Sequence, residues 1–191
     1  MAGERRERAD AAANRAKILC AAQRLLAEHG VNGLTMQAVA SEAGVGKGTI
    51  FHRFGDRNGL VAALVDEYSR AFQDRFLHGP PPLGPGAPAA ERLEAFLVEL
   101  VQDEVENIRP ALAAERLAAD NPPPVYEAMR FHVRLLIAEI DPDAEADVLA
   151  DYLLGAISPS VLARLLSDGE ADKTTLQRAV IQLVRGVTQH C

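Results

Sequence analysis

The chain has 191 residues, 48% hydrophobic and 25% charged, with few aromatic residues and no tryptophan; this composition predicts a globular protein with an aliphatic core. Its two cysteines cannot form a disulfide framework, and a net charge of −7 argues against a chain that binds nucleic acid over its whole surface. No signal peptide is recognisable and the longest apolar runs fall short of a membrane span, so we expect a reduced, cytoplasmic protein without a membrane segment.

The charge is unevenly distributed along the chain. Residues 1–60 carry nine Lys or Arg against six Asp or Glu, a net charge of +3. Residues 61–191 carry eleven against twenty-one, a net charge of −10. A basic head on an acidic body predicts contact with DNA at one end only.

Residues 1–13 are charged and lack an apolar stripe, which favours a flexible N-terminal arm. Arg5, Arg6 and Arg8 can reach DNA phosphates or a minor groove, but the acidic residues between them favour a solvated tail. A first helix is predicted from Asn14 to His29. Its buried side follows three-four spacing, formed by Ile18, Ala22, Leu25 and Leu26, and Gly30 is a stop signal.

A helix-turn-helix is predicted in the next segment. Thr35 can cap its first helix, and Gly44 can adopt the left-handed conformation that a tight turn requires. The pattern is that of a DNA-binding unit whose second helix enters the major groove, although an ordinary pair of antiparallel helices has the same spacing. The side chains that can meet between the two helices are Val39, Ala40, Ala43, Val45 and Ile50.

The second helix of this unit carries residue types that read DNA. Lys47 can contact phosphate or guanine, Thr49 can pack its methyl group against thymine, and His52 and Arg53 are polar readers further along. Phe51 either lies against the sugar–phosphate backbone or packs internally. The candidate DNA contacts are Thr35, Lys47, Gly48, Thr49, Phe51, His52, Arg53 and Arg57.

The stretch GVGKGTIFHRF followed by GDRNGL resembles the signature of the TetR family of transcriptional regulators, over roughly residues 14–65. The resemblance implies that Arg57 takes the place of the family's phosphate-contacting lysine. Four departures matter. Gly46 replaces a serine that would cap the recognition helix, and Phe51 replaces a tyrosine. Arg53 has an unusual charge for its position, and Gly59 replaces a glutamate that favours helix.

The rest of the chain is predicted to be helical. Asp56 caps a fourth helix that runs to Leu77, followed by HGPPPLGPGAPAA, whose five prolines predict a long surface linker. Residues between breakers form the remaining helices, at Ala89–Asn107, Pro110–Ala119, Val125–Ile140, Asp143–Ser167 with a kink at Pro159, and Asp172–Gln189.

The predicted fold class is all-α with about nine helices. We expect three parts: an arm over residues 1–13, a three-helix DNA-binding head over residues 14–58, and a helical effector-binding and dimerisation domain over residues 59–191.

The last two predicted helices have more apolar surface than one neighbour can cover. This favours a homodimer, the alternative being that both faces are buried within one chain. The predicted dimer interface consists of Leu162, Leu165, Leu176, Val180, Leu183 and Val187.

Polar residues lie on apolar helix faces in the C-terminal domain. Glu104, His132 and Arg75 are the main examples, and inward polar groups are what a ligand pocket uses to orient its ligand. Structural pairs, such as Arg75 with Glu104, are an equal alternative for each residue. Family members bind ligands in this region, and the candidate ligand-binding residues are Tyr68, Phe72, Arg75, Phe96, Leu100, Glu104, Met129, His132 and Tyr152.

No nucleophile elbow, Gly-rich phosphate loop or metal-ligand spacing is visible, so we expect neither an enzyme nor a bound metal or cofactor. The sequence predicts a homodimeric repressor released from a palindromic double-stranded operator by a small-molecule effector. The alternatives are a TetR-like activator and a ligand-binding or scaffold protein that does not bind specific DNA.

Overall fold

A computed structural model describes residues 2–117, 124–169 and 171–188, without the side chains of residues 2–9, 31, 116–117, 124–125 and 187–188. These ranges contain ten α-helices and no strand, which confirms the predicted all-α fold class. The helices are α1 (Ala2–Gly33), α2 (Met36–Ala43), α3 (Lys47–Phe54), α4 (Arg57–His78), α5 (Ala89–Glu106), α6 (Ile108–Leu117), α7 (Pro124–Ile140), α8 (Ala146–Ala156), α9 (Pro159–Ser167) and α10 (Lys173–Thr188).

The chain divides into two compact units, residues 1–66 and residues 67–191. The boundary falls inside α4, eight residues later than the boundary predicted after residue 58. The first unit therefore includes the start of α4, where Leu60, Val61 and Leu64 are buried.

The N-terminal unit is built on α1, which is helical from Ala2. The arm predicted for residues 1–13 is thus a continuation of the first helix over residues 2–13, because this alanine-rich stretch has good helix propensity even without an apolar stripe. The predicted stop at Gly30 is confirmed. Its φ of 64° interrupts the helix in a conformation that glycine adopts without steric cost.

The C-terminal unit has a core of apolar side chains from six helices, from the end of α4 to α10. Three phenylalanine rings form its centre. The ring centroids of Phe72, Phe76 and Phe96 lie 5.0 to 5.3 Å apart, close enough for edge-to-face packing. Leu176, Val180 and Val184 of α10 are buried in the same core.

The single helix predicted from Asp143 to Ser167 is two helices. The chain leaves α8 at Ile157, and Pro159 begins α9 instead of kinking a continuous helix. Proline fits the first turn of a helix because it has no N–H to leave unpaired there. Among the described residues, Ala146–Ser167 is the stretch that is apolar and long enough to cross a membrane, with a mean hydropathy of 1.4. Each of its two helices is shorter than the roughly 20 residues that a spanning helix needs.

Candidate nucleic-acid interface and buried polar cluster

The turn between α2 and α3 has the geometry that the sequence predicts. Thr35 Oγ1 accepts a hydrogen bond from the Ala38 N–H at 3.1 Å and so caps α2. Gly44 ends α2 in the left-handed conformation, with φ 66° and ψ 34°. The N–H of Val45 then donates to the carbonyl of Ala40 at 3.0 Å, which closes the turn.

Helix α3 is buried on one side only. Ile50 has no exposed surface, and Val39 and Ala40 of α2 are buried as well. The opposite side of α3 carries exposed side chains of the types that contact DNA, which are Lys47, Thr49, Phe51, His52 and Arg53, and Gly48 is also exposed. The local sequence therefore produces a short helix whose polar surface is open to solvent.

The side chains of Lys47 and Phe51 contact each other on this surface. The Lys47 ammonium lies 5.6 Å from the centroid of the Phe51 ring, within the range of a cation–π contact. Phe51 is 43% exposed although it is a large apolar residue. Its ring therefore supports Lys47 at the surface of α3.

Arg53 has a contact within the protein. Its Nη1 donates to the backbone carbonyl of Ala11 at 2.6 Å. This bond joins the C-terminal end of α3 to α1, across 42 positions in sequence. Arg53 was predicted to read DNA, and in this structure its guanidinium makes the contact to α1.

The start of α4 is capped by Asp56, as predicted. Its Oδ1 accepts a hydrogen bond from the N–H of Gly59 at 2.9 Å. A side chain at Gly59 would overlap the carbonyl oxygen of Phe54, so this position requires glycine. Arg57, in the first turn of α4, is half-buried, and its Nε has no hydrogen-bond partner among the described residues.

A second concentration of polar groups lies in the core of the C-terminal unit. The ring of His132 stacks at 4.5 Å from Phe76 and at 5.0 Å from Phe96. His132 is only 8% exposed, and its Nε2 has no hydrogen-bond partner among the described residues. Burial, and then the positive charge of Arg92, lower the pKa of His132 to about 4, so its imidazole is neutral at pH 7.

Glu104 is a second buried polar group of the C-terminal unit. Its Oε2 is buried and has no hydrogen-bond partner among the described residues. Burial, followed by the negative charges of Asp103 and Glu115, raises the pKa of Glu104 to about 7. The pKa of the nearby Tyr68 phenol is also raised, by burial and then by the charges of Glu104 and Asp103. The phenol therefore stays neutral.

Seven of the predicted ligand-binding residues are buried or partly buried, and two are exposed. Phe72, Phe96, Leu100 and His132 are buried, while Tyr68, Met129 and Glu104 are partly buried. Arg75 is exposed and paired with Asp103 at 2.8 Å and with Glu99 at 3.5 Å, so it forms a structural ion pair, although not the one with Glu104. Tyr152 is 72% exposed and points away from the core.

Two residues that interact with His132, Phe76 and Arg92, were not predicted from the sequence. Phe76 follows Phe72 by four residues and Arg92 precedes Phe96 by four. Extending the three-four spacing of each helix by one turn would therefore have included both residues.

The predicted dimer residues differ in how far they are exposed in the structure. Leu162, Leu176 and Val180 are at most 6% exposed because they belong to the core of their own chain. Leu165 packs partly against that core. Leu183 is 48% exposed, and the side chain of Val187 lies outside the described residues.

An exposed apolar surface occurs instead on α7 and α8. Arg130 pairs with Asp151 at 2.7 Å and with Asp147 at 3.1 Å, which joins the two helices in antiparallel order. The residue after each paired position is rotated by about 100° around its helix axis. These residues therefore lie on one side of the contact between α7 and α8. They are Phe131, Leu135, Val148 and Tyr152, each at least 44% exposed, and we call this surface the α7–α8 face.

Comparisons with known proteins agree on the N-terminal unit. Residues 18–64 match the sequence model of a family described as bacterial regulatory proteins, tetR family. The transcriptional repressor AcnR of Corynebacterium glutamicum is 43% identical over 54 residues, which is 28% of this chain and 29% of AcnR. The repressor BepR of Brucella suis is 38% identical over 61 residues, covering 32% of this chain and 29% of BepR. The matched segment thus spans under a third of these relatives.

Solved structures match over most of the chain. A transcriptional regulator from Rhodococcus sp. RHA1 has a TM-score of 0.72 at 20% identity, covering 92% of this chain and 96% of its own. FadR from Bacillus subtilis, solved in complex with stearoyl-CoA, has a TM-score of 0.70 at 18% identity, covering 88% and 96%. At these identities the matches establish a shared fold.

Proposed function

Because this chain belongs to the TetR family of bacterial regulatory proteins, we propose that it is a cytoplasmic transcriptional repressor that binds double-stranded DNA through α3. The observation that carries the proposal is the two-sided character of this helix. Ile50 anchors it in the head, while Lys47, Thr49 and His52 remain exposed on the opposite side. A helix presented in this way can enter a major groove and place its side chains against base edges.

The side chains on and beside α3 have separate parts in the proposed complex. Lys47 neutralises a phosphate, supported by the ring of Phe51, and Arg57 contributes a second charge from the first turn of α4. Gly48 leaves room for the sugar–phosphate backbone, since nothing lies within 4 Å of the position its Cβ would take. Thr49 and His52 read bases.

We propose that the active form is a homodimer joined through the α7–α8 face. Four large apolar side chains are exposed together on this face. Contiguous exposed apolar surface of this kind is typical of an interface between proteins. A two-fold axis through it would present two α3 helices to a palindromic operator.

We further propose that an effector binds at the buried polar groups of the C-terminal unit. A ligand that binds better to a conformation with reduced operator affinity shifts the population away from DNA. Two buried polar atoms, Glu104 Oε2 and His132 Nε2, are without hydrogen-bond partners and can be satisfied by such a ligand.

The test is a selection of binding sites from random duplexes, followed by fluorescence anisotropy on the selected sequence. We expect a palindromic site and an affinity that falls steeply with salt. Lys47→Ala should weaken binding to all duplexes and lower the salt slope by about one unit, whereas His52→Ala should change the preferred bases. Arg178→Ala, on the exposed surface of α10, is the matched control and should change neither property.

If no site is enriched and Lys47→Ala leaves random-duplex affinity unchanged, the protein does not act through α3. Such a result would favour a ligand-binding or scaffold role. A reporter gene placed behind the selected site then separates repression from activation.

A further inference from the structure

Three acidic side chains lie together where α5 is followed by α6, and we call them the α5–α6 corner. Asp103 and Glu104 are adjacent near the end of α5, and the charge of Glu115 on α6 acts on Glu104. Ionised carboxylates repel one another, and burial strengthens the repulsion because the local dielectric constant is low. One of the three carboxyl groups is therefore favoured to keep its proton.

The polar contacts of the corner indicate which carboxyl group that is. Asp103 is bonded to the guanidinium of Arg75 at 2.8 Å, so its negative charge is balanced. Glu115 accepts a hydrogen bond from Ser160 Oγ at 3.1 Å. Glu104 Oε2 is buried and has no hydrogen-bond partner among the described residues. The ionised form of Glu104 is thus the least stabilised of the three, and burial followed by the charges of Asp103 and Glu115 raises its pKa to about 7.

The basic groups described on the helices around α5 leave this charge unbalanced. The charges that act on Glu104 are those of Asp103 and Glu115, and both are negative. Basic side chains of α7, α9 and α10 have acidic partners of their own. The pairs are Arg130 with Asp151, Arg164 with Asp168 and Lys173 with Glu106.

Two neutral titratable groups lie on other helices beside α5. The Tyr68 phenol of α4 has a raised pKa, through burial and then through the charges of Glu104 and Asp103, so it stays uncharged. His132 of α7 is neutral at pH 7 because burial, and then the charge of Arg92, lower its pKa to about 4. Neither group supplies a positive charge at neutral pH, so a proton on Glu104 is what removes the repulsion.

Helix α6 is the element that loss of this proton can displace. It has ten residues, and the single residue Asn107 separates it from α5. A helix of this length has little stability of its own. The apolar side chains that it buries include Ala111 and Ala113, which are small and contribute little packing energy. Repulsion between Glu104 and Glu115 therefore acts on a weakly held helix.

We propose that the α5–α6 corner is a proton-operated switch, in which a proton on Glu104 keeps α6 against α5 and loss of that proton to solvent releases α6. The O–H bond of the Glu104 carboxyl group is the only bond that breaks. The inference rests on the proposed function for its regulatory meaning, since release of α6 gives the repressor a response to pH. The switch itself is tested without DNA, so its failure is distinguishable from failure of the proposed function.

Amide hydrogen exchange of the full-length protein, followed by mass spectrometry at pH 6 and pH 8, measures the release of α6. The pKa of Glu104 is about 7 with α6 in place and its ordinary 4.5 once α6 is released. The opening equilibrium of α6, corrected for the intrinsic pH dependence of exchange, should therefore rise about tenfold from pH 6 to pH 8. A constant opening equilibrium, or an equal rise throughout residues 67–191, would overturn the proposal.

Three variants test whether the effect depends on this corner. Glu104→Gln keeps the shape of the side chain and should abolish the pH dependence of α6 exchange. Glu115→Gln keeps an oxygen for the hydrogen bond from Ser160 but removes a repelling charge, so it should reduce the effect. Glu91→Gln, an exposed position on α5, is the matched control and should behave as the wild type does. An undiminished effect in Glu104→Gln or in Glu115→Gln would contradict the assignment.

Infrared spectroscopy of the wild type supplies a readout that needs no variant. Carboxyl groups with ordinary pKa values are ionised at both pH 6 and pH 8. We expect the carbonyl band of one protonated carboxylic acid at pH 6 and its loss at pH 8. Absence of this band at pH 6 would overturn the proposal even if Glu104→Gln failed to fold.

Discussion

At the scale of single residues, two glycines in the N-terminal unit show how the same residue type serves different purposes. Gly48 is exposed on α3 with open space around it, whereas Gly59 is held against the carbonyl of Phe54 at the start of α4. From the sequence, both are residues of low helix propensity within a helix. Only the contact of Gly59 with the backbone distinguishes them.

Gly59→Ala should destabilise the N-terminal unit. The added methyl group overlaps the Phe54 carbonyl, so the backbone must shift and the cap from Asp56 is disturbed, at a cost of about 1 to 3 kcal/mol. Gly48→Ala is the paired control and should stabilise by up to about 1 kcal/mol through helix propensity. Urea unfolding followed by circular dichroism measures both; equal effects of the two substitutions would contradict the close approach at Gly59.

Glu104→Gln should make stability less dependent on pH. The folded-state pKa of Glu104 is raised to about 7 from an ordinary value near 4.5, so the ionised form is disfavoured on folding. This group therefore costs no stability below pH 4.5, and wild-type stability falls as the pH rises from about 4.5 through 7.

The loss is on the order of 3 kcal/mol by pH 8, and Glu104→Gln should recover much of it. Denaturant unfolding of both proteins between pH 5 and pH 8 provides the measurement. His132 acts in the opposite direction, because its lowered pKa makes stability fall as pH drops from 6.5 towards 4. Its contribution is common to both proteins and cancels in the comparison. Parallel curves would indicate that Glu104 does not titrate abnormally.

At the scale of elements, the position of α3 depends on a bond that local patterns do not reveal. The Arg53 guanidinium binds the Ala11 carbonyl of α1, so it fixes the end of α3. A short helix of eight residues has little stability of its own, and such tertiary contacts hold it in place.

Arg53→Ala should therefore weaken DNA binding without changing base preference. Loss of this charged hydrogen bond should cost about 1 kcal/mol of stability in the N-terminal unit. We expect similar fold losses of affinity for the selected operator and for a scrambled duplex, measured by anisotropy. A change of preferred base in a repeated selection would instead show that Arg53 reads DNA.

At the scale of the whole molecule, the α7–α8 face is the surface through which we propose that the protein dimerises. Its four side chains cluster beside the ion pairs of Arg130, which keep α7 and α8 in register. Leu183 of α10 is a separate exposed apolar residue of the same unit.

Tyr152→Glu should convert the dimer into a monomer and abolish binding to the palindromic site. A carboxylate buried without a partner in an apolar interface costs several kcal/mol, enough to dissociate a micromolar dimer. Leu77→Glu, an exposed leucine on α4 outside this face, is the control. Sedimentation velocity distinguishes the outcomes. A monomeric Leu183→Glu beside a dimeric Tyr152→Glu would place the interface on α10 instead.

Contacts between residues close together in the chain are predictable from the sequence alone. The cap at Thr35, the left-handed turn at Gly44 and the cap at Asp56 each involve residues within three or four positions. Such contacts are set by residue type and spacing, so the helix-turn-helix and the all-α class followed from them. The inward direction of Glu104 and His132 likewise followed from helical periodicity.

Which apolar surfaces are buried and which charged side chains form ion pairs depends on the tertiary structure. Periodicity shows that α10 has an apolar stripe, but not that Leu176 and Val180 face their own core while Tyr152 of α8 faces solvent. It places Arg75 near α5, but the choice of Asp103 over Glu104 depends on the relative rotation of two helices. These outcomes arise from contacts between residues far apart in sequence, where a rotation of one helix by a single residue exchanges one partner for another.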